Sequence, residues 1–194
     1  MTEAITLSFK SKGGLSQDEF MELCKDNPDL KFERTSEGQI IIMPNTGGRT
    51  GKINARINYF LTGWNLATNS GETFDSSTSF RLASGAVRSP DAAWVAKERW
   101  EKLSEREQRQ FPPLCPDFII ELRSESDALK ELQQKITEDW IGNGCRLAWL
   151  IDTDAQTVYV YRPNAAPETV QGFNQRLSGG EVLPGFELDL SQLQ

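Results

Sequence analysis

Apolar residues recur along this chain with two periods, and the switches between them mark out its elements. In LSQDEFMELCKDNP, Phe20, Leu23 and Cys24 share a helical face. Ser16 and Glu19 make an S-x-x-E capping box and Pro28 ends the run, so the spacing predicts a first helix. LKFERTSEGQIIIMP then reads as a hairpin turning at Glu37-Gly38, with an apolar return strand. GGRTGKINARINYFLTGWNLA restores helical spacing through Ile53, Ile57, Phe60, Leu61 and Trp64, which predicts an amphipathic helix led in by Gly47 and Gly48.

From Glu72 to Ala96 the pattern shortens to β-like pieces, TFDSSTSFRL and DAAWVA, separated by the turn ASGAVRSP. A charged, helical excursion is predicted from Lys97 to Gln110, ended by Pro112-Pro113. DFIIELR is the clearest strand. Ser124 and Asp127 form an S-x-x-D start for a helix running to about Ile141, where Gly142 and Gly144 supply a stop. RLAWLID and TVYVYRP read as paired strands around TDAQ, and GGEVLPGFELDL ends in a short alternating strand. Strands with interspersed helices place the chain in the α/β or α+β class, with a mixed β-sheet core flanked by helices.

Composition narrows the function classes. A chain of 194 residues, 38% hydrophobic and 25% charged, suffices for one sizeable core and one domain. No apolar run approaches a membrane span, and MTEAITLSFKSKGG lacks the basic flank and apolar stretch of a signal peptide, so a cytoplasmic protein without a membrane partner is expected. Cys24, Cys115 and Cys145 form no C-x-x-C pair and read as reduced, buried filler. Histidine is absent, which removes Ser-His-Asp, Cys-His and H-E-x-x-H chemistry and leaves carboxylates, amines and hydroxyls. A net charge of -7 argues against nonspecific coating of nucleic acid, though not against a local basic groove. Arg49, Lys52, Arg56, Arg81 and Arg88 are candidates for such a groove, and the helix start near Gly48 for a phosphate contact. A solvated basic face is the alternative for each.

Two stretches carry carboxylates into strands: RSPDAAWVAKERW and CPDFIIELRSESD. Alternation puts Asp117, Ile119, Glu121 and Arg123 on one side of DFIIELR, and Asp91 opens DAAWVA at a bend set by Pro90. If these strands pair, Asp91 and Glu121 converge on one hard cation, Mg²⁺ or Mn²⁺. The plainer alternative is a Glu121–Arg123 ion pair on one face.

RSPDAAWVAKERW, CPDFIIELRSESD, LQQKITEDWIGNGCRLAWLID and VLPGFELDL stand in the order and approximate spacing of the cyanobacteria-rich Uma-two family of restriction endonucleases. That family resembles the PD-(D/E)XK nuclease superfamily, and the likeness runs from about Leu15 to Leu190. The resemblance implies a restriction-endonuclease-like fold and a metal-dependent DNA endonuclease. Asp91 and Glu121 would hold Mg²⁺, with Mn²⁺ able to substitute and the Leu122 carbonyl a further ligand. The superfamily lysine two residues after the second acid is Arg123 here, which would serve as a supporting cation for the developing phosphorane charge but cannot act as a base. Lys135 matches the place on the following helix to which the family moves it. Leu129, Leu132, Ile136 and Trp140 form that helix's apolar stripe, and Lys135 lies one position off it. Its ammonium either reaches the acidic strand ends or stays in solvent. Gln133 and Ser124 are weaker candidates for orienting roles. Residues 51 to 66 lack the helix acid many relatives carry; Glu33, in the hairpin, either enters the site in its place or is a surface residue. The alternative function is a noncatalytic nuclease-like binding or assembly module, with a homodimer as one form, Trp100 the interface candidate and Trp94, Trp140 and Trp149 assigned to the core.

Overall fold

The computed structural model describes residues 4–9, 11 and 13–194. Its first elements are β1 (Ile5–Leu7), α1 (Gln17–Asp26), β2 (Lys31–Arg34), β3 (Ile40–Met43), α2 (Gly48–Thr68), β4 (Gly71–Asp75), β5 (Phe80–Arg81), β6 (Val87–Arg88) and β7 (Ala92–Ala96). Two single-turn helices follow, α3 (Lys97–Trp100) and α4 (Glu105–Gln108), then β8 (Phe118–Leu122) and α5 (Leu129–Lys135). A π-helical turn (Ile136–Trp140) and a 3₁₀ turn (Ile141–Asn143) continue α5. The chain closes with β9 (Leu147–Asp152), β10 (Thr157–Tyr161), β11 (Glu168–Gln171), β12 (Arg176–Ser178), β13 (Glu187–Asp189) and a 3₁₀ turn at Leu190–Leu193.

Six strands form the main sheet in the order β11-β10-β9-β8-β7-β4. β8 and β9 run parallel, joined by the crossover through α5, and the other neighbours are antiparallel, so the sheet is mixed. A second, antiparallel sheet is ordered β1-β3-β2-β6-β5, and β12 pairs with β13. The architecture is the expected α/β mixture of strands and flanking helices. No helix of the described residues is long and apolar enough to cross a membrane.

Local chemistry explains most boundaries. The Ser16 hydroxyl accepts from the Glu19 amide at 3.3 Å and the Glu19 carboxylate from the Ser16 amide at 2.8 Å, the capping box expected at the start of α1. The β2–β3 hairpin turns at Gly38, whose φ is +77°; a Cβ there would also stand 2.9 Å from Gly14, so glycine is required twice over.

Packing follows the predicted stripes. Ile53, Ile57 and Leu61 of α2 lie on one face of the main sheet with Trp94, Phe118, Ile120 and Trp149, and the tail residues Phe186 and Leu188 close the same core. Ala93, Val95, Ile119, Ala148 and Leu150 point to the other face, covered by Leu129, Leu132, Ile136 and Trp140. Phe20, Phe32, Ile40 and Val87 make a smaller core between α1 and the second sheet. Inside the first core, Trp94 Nε1 donates to Asn65 Oδ1 at 2.9 Å, and Asn65 Nδ2 donates to the Gly71 carbonyl at 2.8 Å. Gly71 is pressed against this pair: a Cβ would fall 2.1 Å from the Val95 carbonyl oxygen and 2.6 Å from the Trp94 indole nitrogen.

Three expectations need correction. The helix assigned to Ser124–Asp127 begins four residues later, because those residues bond to each other. Asp127 Oδ2 accepts from the Ser124 amide at 2.8 Å and its hydroxyl at 2.7 Å, while the Asp127 carbonyl takes Arg123 Nε at 3.1 Å in place of a helical amide. The excursion from Lys97 to Gln110 is two single turns, since Ser104 forms its own capping box with Glu107 and restarts the chain. Trp100 does not stand exposed in that excursion but is half-buried, its ring packed on Phe74 at 5.1 Å. Trp94, Trp140 and Trp149 are core residues, as expected.

Candidate active site

β7 and β8 pair with Ala92 opposite Ile120, and continuing this antiparallel register by one position sets Asp91 opposite Glu121. Asp91 is fastened on both sides. Its amide donates to the Ile120 carbonyl at 3.0 Å, and its Oδ2 accepts from the Leu122 amide at 2.7 Å. From α2, Asn58 Nδ2 donates to the Asp91 carbonyl at 3.1 Å and to Asn54 Oδ1 at 2.8 Å, and Asn54 Nδ2 stands 3.5 Å from Asp91 Oδ1. Two amides thus occupy the side from which relatives are expected to offer an acid.

Glu121 Oε1 accepts from Trp140 Nε1 at 2.7 Å and pairs with Lys135 Nζ at 2.9 Å. The π turn makes this double contact possible. Residues five apart do not share a face of an α-helix, whereas the wider i→i+5 turn over Ile136–Trp140 brings Trp140 under Lys135. Lys135 therefore reaches the acidic strand ends, and its side chain is only 15% exposed. Its ammonium also meets Glu33 Oε1 at 3.2 Å.

Glu33 enters from the second sheet, 2% exposed. Its Oε1 accepts from the Ser89 amide at 3.0 Å and its Oε2 from Arg88 Nη1 at 3.0 Å. Arg88 is also buried, and its Nε and Nη2 both reach Asp139 Oδ2 at 2.7 Å. One connected cluster results: Glu121, Lys135, Glu33, Arg88 and Asp139, with Asp91 across the strand pair from Glu121. Four acids face two cations.

This excess shapes the titration of the site. Burial pushes the Glu121 carboxyl up to about 7; Lys135 opposes the rise, and Asp91 and Glu33 add to it. Burial also raises Asp91, against the Leu122 amide. For Glu33 burial is outweighed by Lys135, Arg88 and the Ser89 amide, which bring its carboxyl down to about 2. Burial would depress Lys135, but Glu121 and Glu33 hold it above its ordinary value, so it remains an ammonium. It steadies negative charge and does not take up protons.

Other anticipated residues lie elsewhere. Arg123 does not face Glu121; its guanidinium pairs with Asp152 at 2.6 Å. Ser124 is committed to Asp127, and Gln133 lies by the Tyr161 hydroxyl. The proposed basic groove does not assemble as one surface. Arg88 is inside the cluster, Arg49 pairs with Asp154 at 2.9 Å, and Arg56 donates to the Gln192 carbonyl at 2.6 Å. Lys52 points to the Gln194 carbonyl at 3.5 Å, and Arg81 lines a separate cleft with Pro113 and Asn143. Arg49, Arg123 and the start of α2 do line a cleft of about 200 Å³, with Glu125 and Asp154 in its wall. Two members of the cluster, Asp139 and Arg88, do not follow from the sequence pattern used to find the others. Asp139 carried a readable signal, one helical turn after Lys135; Arg88 sits in a two-residue strand too short for any periodicity.

Among the described residues no group of three or more His, Cys, Asp or Glu is arranged to hold a metal ion. The donors present still fit a hard cation that takes one or two carboxylates and fills its shell with water and phosphate oxygens. Asp91 Oδ1 has only the distant Asn54 amide, and no hydrogen bond from the described residues reaches Glu121 Oε2, so each acid keeps an oxygen for such an ion.

Comparison with known proteins gives a consistent picture. The model of the Uma2 family, described as "Putative restriction endonuclease", matches residues 17–191. No curated protein matches the chain. Among solved structures, the crystal structure of a putative nuclease belonging to DUF820 from Anabaena variabilis superposes with a TM-score of 0.77 at 22% identity. The match covers 92% of this chain and 97% of that one. At that identity the likeness establishes the fold.

Proposed function

The chain belongs to the Uma2 family, and on that premise we propose that it is a metal-dependent endonuclease that hydrolyses phosphodiester bonds in DNA. The observation that carries this reading is the register of β7 against β8, which sets Asp91 opposite Glu121 with the Lys135 ammonium 2.9 Å from the latter. Asp91, Glu121 and the Leu122 carbonyl would hold Mg²⁺, with Mn²⁺ able to substitute; when bound, the ion polarises the scissile phosphate and acidifies a coordinated water. Lys135, kept protonated between Glu121 and Glu33, offers a fixed positive charge to the phosphoryl oxygens as negative charge develops. Trp140 Nε1 fixes the orientation of the Glu121 carboxylate, and the Leu122 amide that of the Asp91 carboxylate. Glu33 holds Lys135 from the far side, and Arg88 prevents Glu33 from swinging towards the other acids. Arg123, committed to Asp152, takes no direct part.

The test is cleavage of supercoiled and single-stranded DNA by purified protein with Mg²⁺ or Mn²⁺, alongside Asp91→Ala and Glu121→Ala prepared identically. Cleavage by the parent protein, lost in both variants, supports the reading. A parent protein that neither cleaves nor takes up Mn²⁺ in calorimetry overturns it in favour of a noncatalytic nuclease-like module.

A further inference from the structure

Lys31, beside the site, meets a backbone carbonyl and, among the described residues, no carboxylate. Alternation along β2 sends Phe32 into the small core with Phe20 and Ile40, and sends Lys31 and Glu33 to the opposite side. Glu33 is there enclosed by Arg88, Lys135 and the Ser89 amide. Lys31 is half-buried at the edge of this enclosure, and its Nζ donates to the Ser76 carbonyl, at 2.5 Å, in the turn between β4 and β5. Its charge bears on both Glu33 and Asp91.

Most neighbouring cations are matched by carboxylates: Lys135 by Glu33 and Glu121, Arg88 by Glu33 and Asp139, Arg123 by Asp152, Arg49 by Asp154. Arg34, also on β2, spends its guanidinium on the carbonyls of Leu15, Thr35 and Gly85, whereas Lys31 is held by one carbonyl. Among the described residues, no carboxylate forms a salt bridge with Lys31. This matters in a chain of net charge -7 whose site holds four acids, because a polyanion approaching it is repelled unless some local positive charge is uncommitted. A backbone carbonyl is a weak competitor for an ammonium compared with a phosphate oxygen, and a lysine on a flexible stem can exchange one for the other without moving its strand.

We propose that Lys31 is a substrate-contacting residue: its ammonium leaves the Ser76 carbonyl and takes a non-bridging oxygen of a backbone phosphate in the DNA strand held at Asp91 and Glu121. The inference rests on the nuclease reading and adds to it the side from which the strand enters, past the β4–β5 turn.

Binding separates the two claims. Asp91→Asn keeps an acceptor for the Leu122 amide and silences cleavage, so a fluorescent duplex can be titrated over a range of salt concentrations by anisotropy. Lys31→Gln is then added, because glutamine can still donate to the Ser76 carbonyl while carrying no charge, and Lys31→Arg serves as the charged control. The expected result is a salt slope, log K against log salt, shallower by about 0.9 with Lys31→Gln and restored by Lys31→Arg, as loss of one phosphate contact requires. An unchanged slope, with or without weaker binding, overturns the assignment while leaving the nuclease reading standing. A parent protein that neither binds nor cleaves DNA at low salt with Mg²⁺ or Mn²⁺ present overturns both. Matching thermal melts of the variants establish that the comparison is between folded proteins.

Discussion

Replacing Arg88 by methionine removes the guanidinium that Glu33 and Asp139 share, at 3.0 and 2.7 Å, and leaves both carboxylates buried. Glu33 keeps Lys135 and the Ser89 amide; Asp139 loses the cation that meets it through two nitrogens. The depression of Glu33 from 4.5 to about 2 corresponds to about 3 kcal/mol at neutral pH, of which Arg88 is one of several contributors. Breaking a buried ion pair by removing one partner costs about 3–5 kcal/mol, and the loss at Asp139 brings Arg88→Met into that range. With a urea slope of about 2 kcal/mol/M, the unfolding midpoint at neutral pH falls by about 2 M. The pH dependence follows from the two acids. Glu33, lowered in the folded state, contributes stability that is present above 4.5 and lost as pH falls towards 2. Asp139 is raised from 3.8 by burial, against Arg88, so its contribution is greatest below 3.8 and is lost as pH rises through the folded value; removing Arg88 raises that value further. Both effects make the variant's deficit larger at neutral than at acid pH. Urea titrations near pH 4 and pH 7.5 measure it. A deficit below about 1 kcal/mol at neutral pH, or one equal at the two pH values, refutes the reasoning that Arg88 neutralises two buried acids.

Other consequences are as concrete. Mn²⁺ affinity should fall as pH drops below the metal-free folded value of Glu121, about 7, because the ion must displace a proton from a carboxyl raised from 4.5; equal calorimetric affinities near pH 6 and pH 8 remove Glu121 from the metal site. Deleting Thr137 shortens the π turn towards an ordinary helix and takes Trp140 off Glu121. Activity should drop about 10- to 100-fold with far-ultraviolet dichroism retained, and full activity would show that the bulge is incidental. Gly71→Ala should cost about 1–3 kcal/mol in chemical unfolding, since the new Cβ meets the Val95 carbonyl and the Trp94 indole; a loss within about 0.5 kcal/mol contradicts that packing.

The main elements were legible because their signals are local. The Ser16–Glu19 box, the stripe of α2 and the alternation of Phe118, Ile120 and Leu122 against Ile119 and Glu121 depend on neighbours a few residues away, and each appears as read. Pairing of the Asp91 and Glu121 strands was foreseen only conditionally, since two strand signals do not state their register. What escaped is nonlocal or cancels a local rule. Ser124 and Asp127 satisfy a helix-start pattern, yet Arg123 captures the Asp127 carbonyl and delays the helix. Arg88 resembles a surface arginine until a strand from the other sheet supplies Glu33 and a helix supplies Asp139. β1 is three exposed residues paired to β3, too short to signal itself.

The route by which Glu33 joins the site gives the molecule a schedule. The β2–β3 hairpin leaves the ribosome early, but its acid is neutralised by Arg88, 55 residues later, and by Lys135, 102 residues later. At about 5–20 residues per second, the second interval lasts on the order of ten seconds, during which Glu33 has at most Arg88 and the Ser89 amide as partners. The last of its partners arrives with α5, and a nascent chain that stalls before Lys135 carries Asp91 and Glu121 without the ammonium that belongs between Glu121 and Glu33. The site is assembled only as the crossover is made, so a chain unfinished at that point lacks the arrangement proposed for cleavage.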